Sequence, residues 1–143
     1  MTNIITIQKN LISSIQANSF LWDDDPEVRA DPEYTGFRKI VNNRVFPSPS
    51  KSSYPILAVD IGKTITVEMS SGDCAPVEFE LLLQIYTLAG STDTAIADAR
   101  EKIVLQMYEI LETNNLSPME DIVHFEDIIG SERVHCVGAV VRK

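Results

Sequence analysis

Apolar residues recur at helical spacing near the start of the chain. Ile4, Ile7, Leu11 and Ile15 form one stripe, widened by Ile5 and Ile12, and predict a helix over residues 3–18. Thr2 or Asn3 is a suitable cap, and Asn18-Ser19 are plausible exit residues. Phe20-Leu21-Trp22 is then expected to pack back onto the core or to fill a neighbour's pocket. Asp23, Asp24, Asp25, Glu27, Asp31 and Glu33 follow, interrupted by Pro26 and Pro32. Mutual repulsion and proline restriction make this an exposed connection holding at most one short helical turn.

The pattern then changes to a period of two. Phe37–Val41 reads equally as the end of a helix or as a strand, whereas Arg44-Val45-Phe46 reads as the start of a strand. A Pro/Ser loop over 47–54 leads back into the strand Ile56-Leu57-Ala58-Val59. Asp60-Ile61-Gly62-Lys63 reads as a turn, followed by a short strand in which Ile65, Val67 and Met69 alternate with polar residues. Another turn is expected at Ser70–Asp73. The clearest strand spans about Val77–Leu88, with Val77, Phe79, Leu81, Leu83 and Ile85 on one face. Its other face starts charged at Glu78 and Glu80 and becomes apolar at Leu82 and Tyr86.

A second helix follows, capped by Ser91 or Thr92, with Asp93 in its first turn. Its stripe is Ile96, Ala99, Ile103, Met107 and Ile110, broadened by Val104 and Leu111. Asp98 and Lys102 are spaced to pair outside, and Asn114-Asn115 provide the exit. Such a helix needs a surface to dock on, and the preceding strand is the nearest candidate. Ile122–Phe125 predicts a short strand with room for a bulge and Val134–Val141 a second strand, with a turn over Asp127–Ser131 and a bulge or close contact at Gly138. The whole order predicts one α+β domain over 1–143: a mostly antiparallel β-sheet with two main helices packed on one face.

Composition narrows the functional classes. The chain has 143 residues, enough for a core without metal or disulfide staples. No apolar run approaches the roughly 18 residues of a membrane span, and the N-terminal pattern is not that of a signal peptide. A cytoplasmic site of synthesis is therefore expected. Cys74 and Cys136 lie far apart and form no disulfide framework, so two reduced thiols are expected, Cys136 being buried. The formal charge of −9 argues against a broad DNA-binding face.

Catalytic motifs are weak throughout. Gly62-Lys63-Thr64 resembles the end of a phosphate-binding loop, but Leu57 stands where that motif requires its first glycine. The plainer reading is a hairpin turn with a solvated lysine. His124 and His135 lack metal-ligand spacing, and His135-Cys136 on a strand point to opposite faces. The acidic stretch lacks the pattern of a calcium loop. Glu78 and Glu80 share a strand face without a sign of an opposed partner across a cleft. No serine sits in a GxSxG elbow. No catalytic, cofactor or metal residue is therefore assigned. Trp22, Leu82 and Tyr86 remain as either core or oligomer contacts.

Three linked segments carry a family resemblance. They are Arg44-Val45-Phe46-Pro47 with the loop to Tyr54-Pro55-Ile56-Leu57, the strand Phe79-Glu80-Leu81-Leu82-Leu83-Gln84-Ile85-Tyr86, and the helix beginning Ala95-Ile96-Ala97-Asp98-Ala99-Arg100. Together with the final strand pair, they resemble the tail terminator, or tail completion, proteins of long-tailed bacteriophages. At residue level the resemblance is mainly over 44–111; the acidic stretch 23–33 departs from it. The resemblance implies a non-enzymatic structural protein of the virion tail or neck. Such a subunit forms a homo-hexameric ring that caps the tail tube and offers the head-joining surface. Its implied partners are the tail tube protein and a head–tail connector or head completion protein. Genomic DNA would pass through without specific binding, and no cofactor or membrane is implied. Trp22, Leu82, Tyr86 and the loop residues Ser48, Pro49, Ser50 and Lys51 are the expected contact residues. Another phage neck or tail protein is the alternative, followed by a small non-catalytic binding module.

Overall fold

The computed structural model describes residues 3–42, 54–68, 72, 74–88, 94–129 and 132–143. Helix α1 spans Ile4–Gln16, with Asn3 as its cap: the Asn3 side chain accepts from the Thr6 amide at 2.9 Å. The predicted stripe turns inward at Ile7, Leu11 and Ile15, while Ile5 stays exposed. Gln8 shares the buried face. A four-residue helix, α2 (Pro26–Arg29), is the single turn expected in the acidic connection.

Among the described residues, five strands form one sheet in the order β1-β2-β3-β5-β4. They are β1 (Lys39–Val41), β2 (Ile56–Glu68), β3 (Cys74–Leu88), β4 (Glu120–Ile129) and β5 (Glu132–Arg142). Only β1 and β2 run parallel; the other neighbours are antiparallel. Between β3 and β4 lies helix α3 (Thr94–Thr113), which ends where Asn115 takes a left-handed φ of 57°. Asparagine tolerates that conformation better than most residues. The α+β class and the mostly antiparallel sheet agree with the sequence pattern.

The main core joins both long helices to one sheet face. Ile7, Leu11 and Ile15 of α1 and Ile103, Met107, Ile110 and Leu111 of α3 cluster with Leu57, Val59, Leu81, Leu83, Ile85, Val137 and Val141. The expected docking of α3 is realised with a difference. Its closest main-chain neighbour is α1, and α1 lies over β2 and β3. Two polar contacts clasp the helices: Ser14 Oγ donates to Asn114 Oδ1 at 3.1 Å, and Asn18 Nδ2 donates to Gln106 Oε1 at 3.3 Å. The opposite sheet face has its own cluster of Tyr54, Ile56, Ala58, Tyr86, Val134 and Cys136. This explains why β3 becomes apolar on both sides toward its end.

Three local expectations require correction. Asp60–Lys63 is not a turn, and 65–69 does not start a separate strand: β2 continues through Glu68. Between Ile61↔Leu81 and Thr64↔Phe79, β2 advances three residues while β3 advances two, so β2 carries a bulge. Gly62 sits in it because a Cβ there would lie 2.8 Å from the Glu80 carbonyl oxygen. Asp127–Ile129 likewise belongs to β4 rather than to a turn. Gly138 pairs regularly with Gln84 and Val123, and a Cβ would meet Phe125 only at an ordinary 3.8 Å. The bulge lies opposite, on β4 between Glu120 and Val123, as expected for the strand holding Ile122–Phe125, and Asp121 there has φ 50°. The strand expected at 44–46, the 47–53 part of its loop, and the Ser91, Thr92 and Asp93 capping residues lie outside the described residues.

Candidate interaction surface

The two sides of the sheet end differently from its middle. Among the described residues, strand β4 forms one edge and pairs only with β5. Along it Ile122, Val123, Phe125 and Ile128 are exposed, Ile128 by 72%. A ten-residue edge strand carrying exposed apolar side chains is a template for association. At the other side, β1 pairs with β2 only from Ile56 to Ala58. Among the described residues, no strand covers β2 beyond that point.

Gln8 marks the place where that cover stops. Its Nε2 donates to the Asn42 carbonyl at 3.0 Å and to the buried Val59 carbonyl at 2.6 Å. A helix residue thus takes over where the β1 ladder ends. The buried carbonyl is satisfied, as buried backbone groups generally must be. No sequence signal pointed to Gln8 except its place on the apolar stripe.

A charged cluster occupies the face opposite the helices. Glu80 and Arg142 are partners in register across β3 and β5. The Arg142 guanidinium lies 3.1 Å from Glu78, 3.5 Å from Glu80 and 3.6 Å from Asp121, and it donates a hydrogen bond to Glu120. Four carboxylates around one guanidinium leave the patch negative. Glu78 and Glu80 are therefore joined through an arginine. The exposure of Glu78, Glu120 and Asp121 limits what their pairs with Arg142 add to stability.

The β4–β5 hairpin also brings the two histidines together, although their spacing in sequence suggested no pairing. His124 is the register partner of Val137, and His135 of Glu126, which places both rings on the helix-bearing sheet face. His124 Nδ1 and His135 Nε2 are 3.4 Å apart, with ring centroids separated by 5.6 Å. One diagonal step along, Arg133 donates to Glu126 at 2.6 and 2.9 Å. Right-handed strand twist brings diagonal side chains of both pairs within reach.

The expected contact residues do not form one patch. Trp22 lies on the helical side, packed partly against the main core. Its Nε1 donates to Asp24 at 3.1 Å, and the Arg29 guanidinium sits 4.1 Å from the ring centroid. Leu82 and Tyr86 project from the other sheet face. Leu82 is half-buried; Tyr86 is buried and its hydroxyl donates to Gln84 at 2.8 Å. Ser48, Pro49, Ser50 and Lys51 lie outside the described residues. Lys63 is exposed on bulged β2, in place of the expected hairpin turn.

The acidic stretch has a local role. Asp23 accepts from the Asp25 amide, Asp25 from the Glu27 amide, and Asp31 from the Glu33 amide, each at 2.9 Å. These side chains satisfy backbone donors in successive turns. Arg29 Nη1 donates to the Asp23 carbonyl at 2.7 Å, and Arg38 Nη2 to the Asp31 carbonyl at 3.0 Å. Tyr34 packs nearby, and burial pushes its phenol up from its ordinary range, with the Asp23 charge adding to the rise.

Among the described residues, no three His, Cys, Asp or Glu side chains converge as a metal-binding set. No helix among them is long and apolar enough to cross a membrane. No family model matches this chain, and no curated protein matches it in sequence.

Proposed function

We propose that this chain is a structural subunit of a phage tail-terminator ring, which caps the tail tube and provides the surface for head joining. The observation that carries the reading is one sheet with an apolar edge at β4 and, among the described residues, a stretch of β2 on its other side that no strand covers. The resemblance over 44–111 supplies the phage context; the two edges supply a way to assemble. Joining β4 of one copy to β2 of the next is a head-to-tail contact, which closes as a ring when the rotation between copies permits.

Charge favours that arrangement over self-pairing of β4. Strand β4 carries Glu120, Asp121 and Glu126, which self-pairing would bring against their own kind. Beyond Ala58, β2 has Lys63 along with Asp60 and Glu68 in its sequence, and so meets β4 with less like charge than a second β4 would. A homo-hexamer built in this way would bury the apolar edge. It would leave other surfaces for the tail tube protein and for a head–tail connector or head completion protein. The carboxylates around Arg142 suit a channel wall that lets DNA pass without gripping it. No reaction is assigned to the chain, and its place would be the virion tail or neck.

Native mass measurement and negative-stain microscopy over a range of concentrations test this reading. The unmodified chain should give closed hexamers, and Phe125→Glu with Ile128→Glu should shift them to folded monomers. A chain that stays monomeric at every concentration and also fails to assemble on tail tubes would overturn it.

A further inference from the structure

The histidine pair has a geometry that the ring reading does not use. The 3.4 Å between His124 Nδ1 and His135 Nε2 is long for an N–H···N hydrogen bond. It is close to the separation of two ligands around one tetrahedral ion. With metal–nitrogen bonds of about 2.0–2.1 Å, adjacent tetrahedral ligands lie about 3.3–3.4 Å apart. The rings come from different strands and meet at the exposed end of the hairpin, where an ion and its remaining waters have access.

We propose that His124 and His135 form a two-histidine chelate site for a borderline divalent transition-metal ion of the zinc type. Imidazole suits Zn²⁺, Ni²⁺ and Cu²⁺, whereas Mg²⁺ and Ca²⁺ prefer oxygen ligands. Water fills the other positions. Glu126, directly across from His135, is engaged by Arg133 and does not serve as a ligand in this arrangement. The nearby Arg133 charge makes the site moderate in affinity. Because the ligands lie on β4 and β5, the ion would clip the edge strand to its only neighbouring strand. Binding to the folded state alone raises stability by mass action.

The test is calorimetric titration of the full, tag-free, chelator-treated chain with Zn²⁺ at pH 7.5. The expected result is one ion per chain, with at least tenfold weaker binding in both His124→Ala and His135→Ala. Nuclear magnetic resonance of the unsubstituted chain provides a readout independent of variant folding: one equivalent of Zn²⁺ should perturb both imidazole rings together. Unchanged rings, or Zn²⁺ binding retained at full strength in either variant, would overturn the proposal. Because the readout is metal affinity, the result is independent of ring formation.

Discussion

Replacing Gln8 removes the side chain that closes the sheet where β1 ends. In Gln8→Met, packing volume is largely kept but both hydrogen bonds are lost. The Asn42 carbonyl lies on an exposed residue and regains water at little cost. The Val59 carbonyl is buried and received a 2.6 Å bond, so losing its donor should cost about 1–3 kcal/mol. Gln8→Ala also removes the Cγ methylene from a buried position, at about 0.8 kcal/mol. The alanine variant should therefore lose about 2–4 kcal/mol in all, and the methionine variant about 1–3 kcal/mol. Equilibrium urea unfolding followed by circular dichroism measures both. If Gln8→Met is as stable as the unsubstituted chain within about 0.5 kcal/mol, the Val59 carbonyl does not depend on Gln8 and the reasoning fails.

Three further predictions concern separate parts of the molecule. Leu11→Ala, in the fully buried centre of α1, should lose about 2–5 kcal/mol in the same unfolding assay. Gly62→Ala should lose about 1–3 kcal/mol because its Cβ meets backbone at 2.8 Å, whereas a solvated turn glycine would tolerate the change nearly freely. The raised Tyr34 pKa gives a signed prediction in alkali. The folded state holds the phenolic proton more tightly than the unfolded chain, so this contribution is complete below pH 10 and is lost as pH rises through the folded-state pKa. Thermal melts of Tyr34→Phe above pH 10 should accordingly fall less steeply with pH than those of the parent chain.

Both main helices were legible because their apolar stripes are long and their other faces polar. The same holds for β3, whose alternation at Leu81, Leu83 and Ile85 is undisturbed. β2 was misread for a physical reason. Its bulge interrupts the two-residue period at Gly62-Lys63, and those residue types are also common in turns. Asp127–Ile129 looked like a turn because acidic edge residues resemble loop residues. The Arg142 cluster and the histidine pair were hidden by topology. Glu80 meets Arg142, and His124 meets His135, only after the strands adopt their register. Gln8 was hidden for a different reason: a polar residue within an apolar stripe gives no notice of a distant carbonyl. The acidic connection was read as exposed, but its use of aspartates to hold successive backbone amides requires the folded turn geometry.

Amide hydrogen exchange on assembled and dissociated chains tests most directly whether the open sheet edges join the copies. Assembly should slow exchange at alternate amides along β4 and in β2 beyond Ala58, leaving amides already paired inside the sheet little changed. A closed ring whose β4 and β2 amides exchange as fast as in the separated chain would contradict the account.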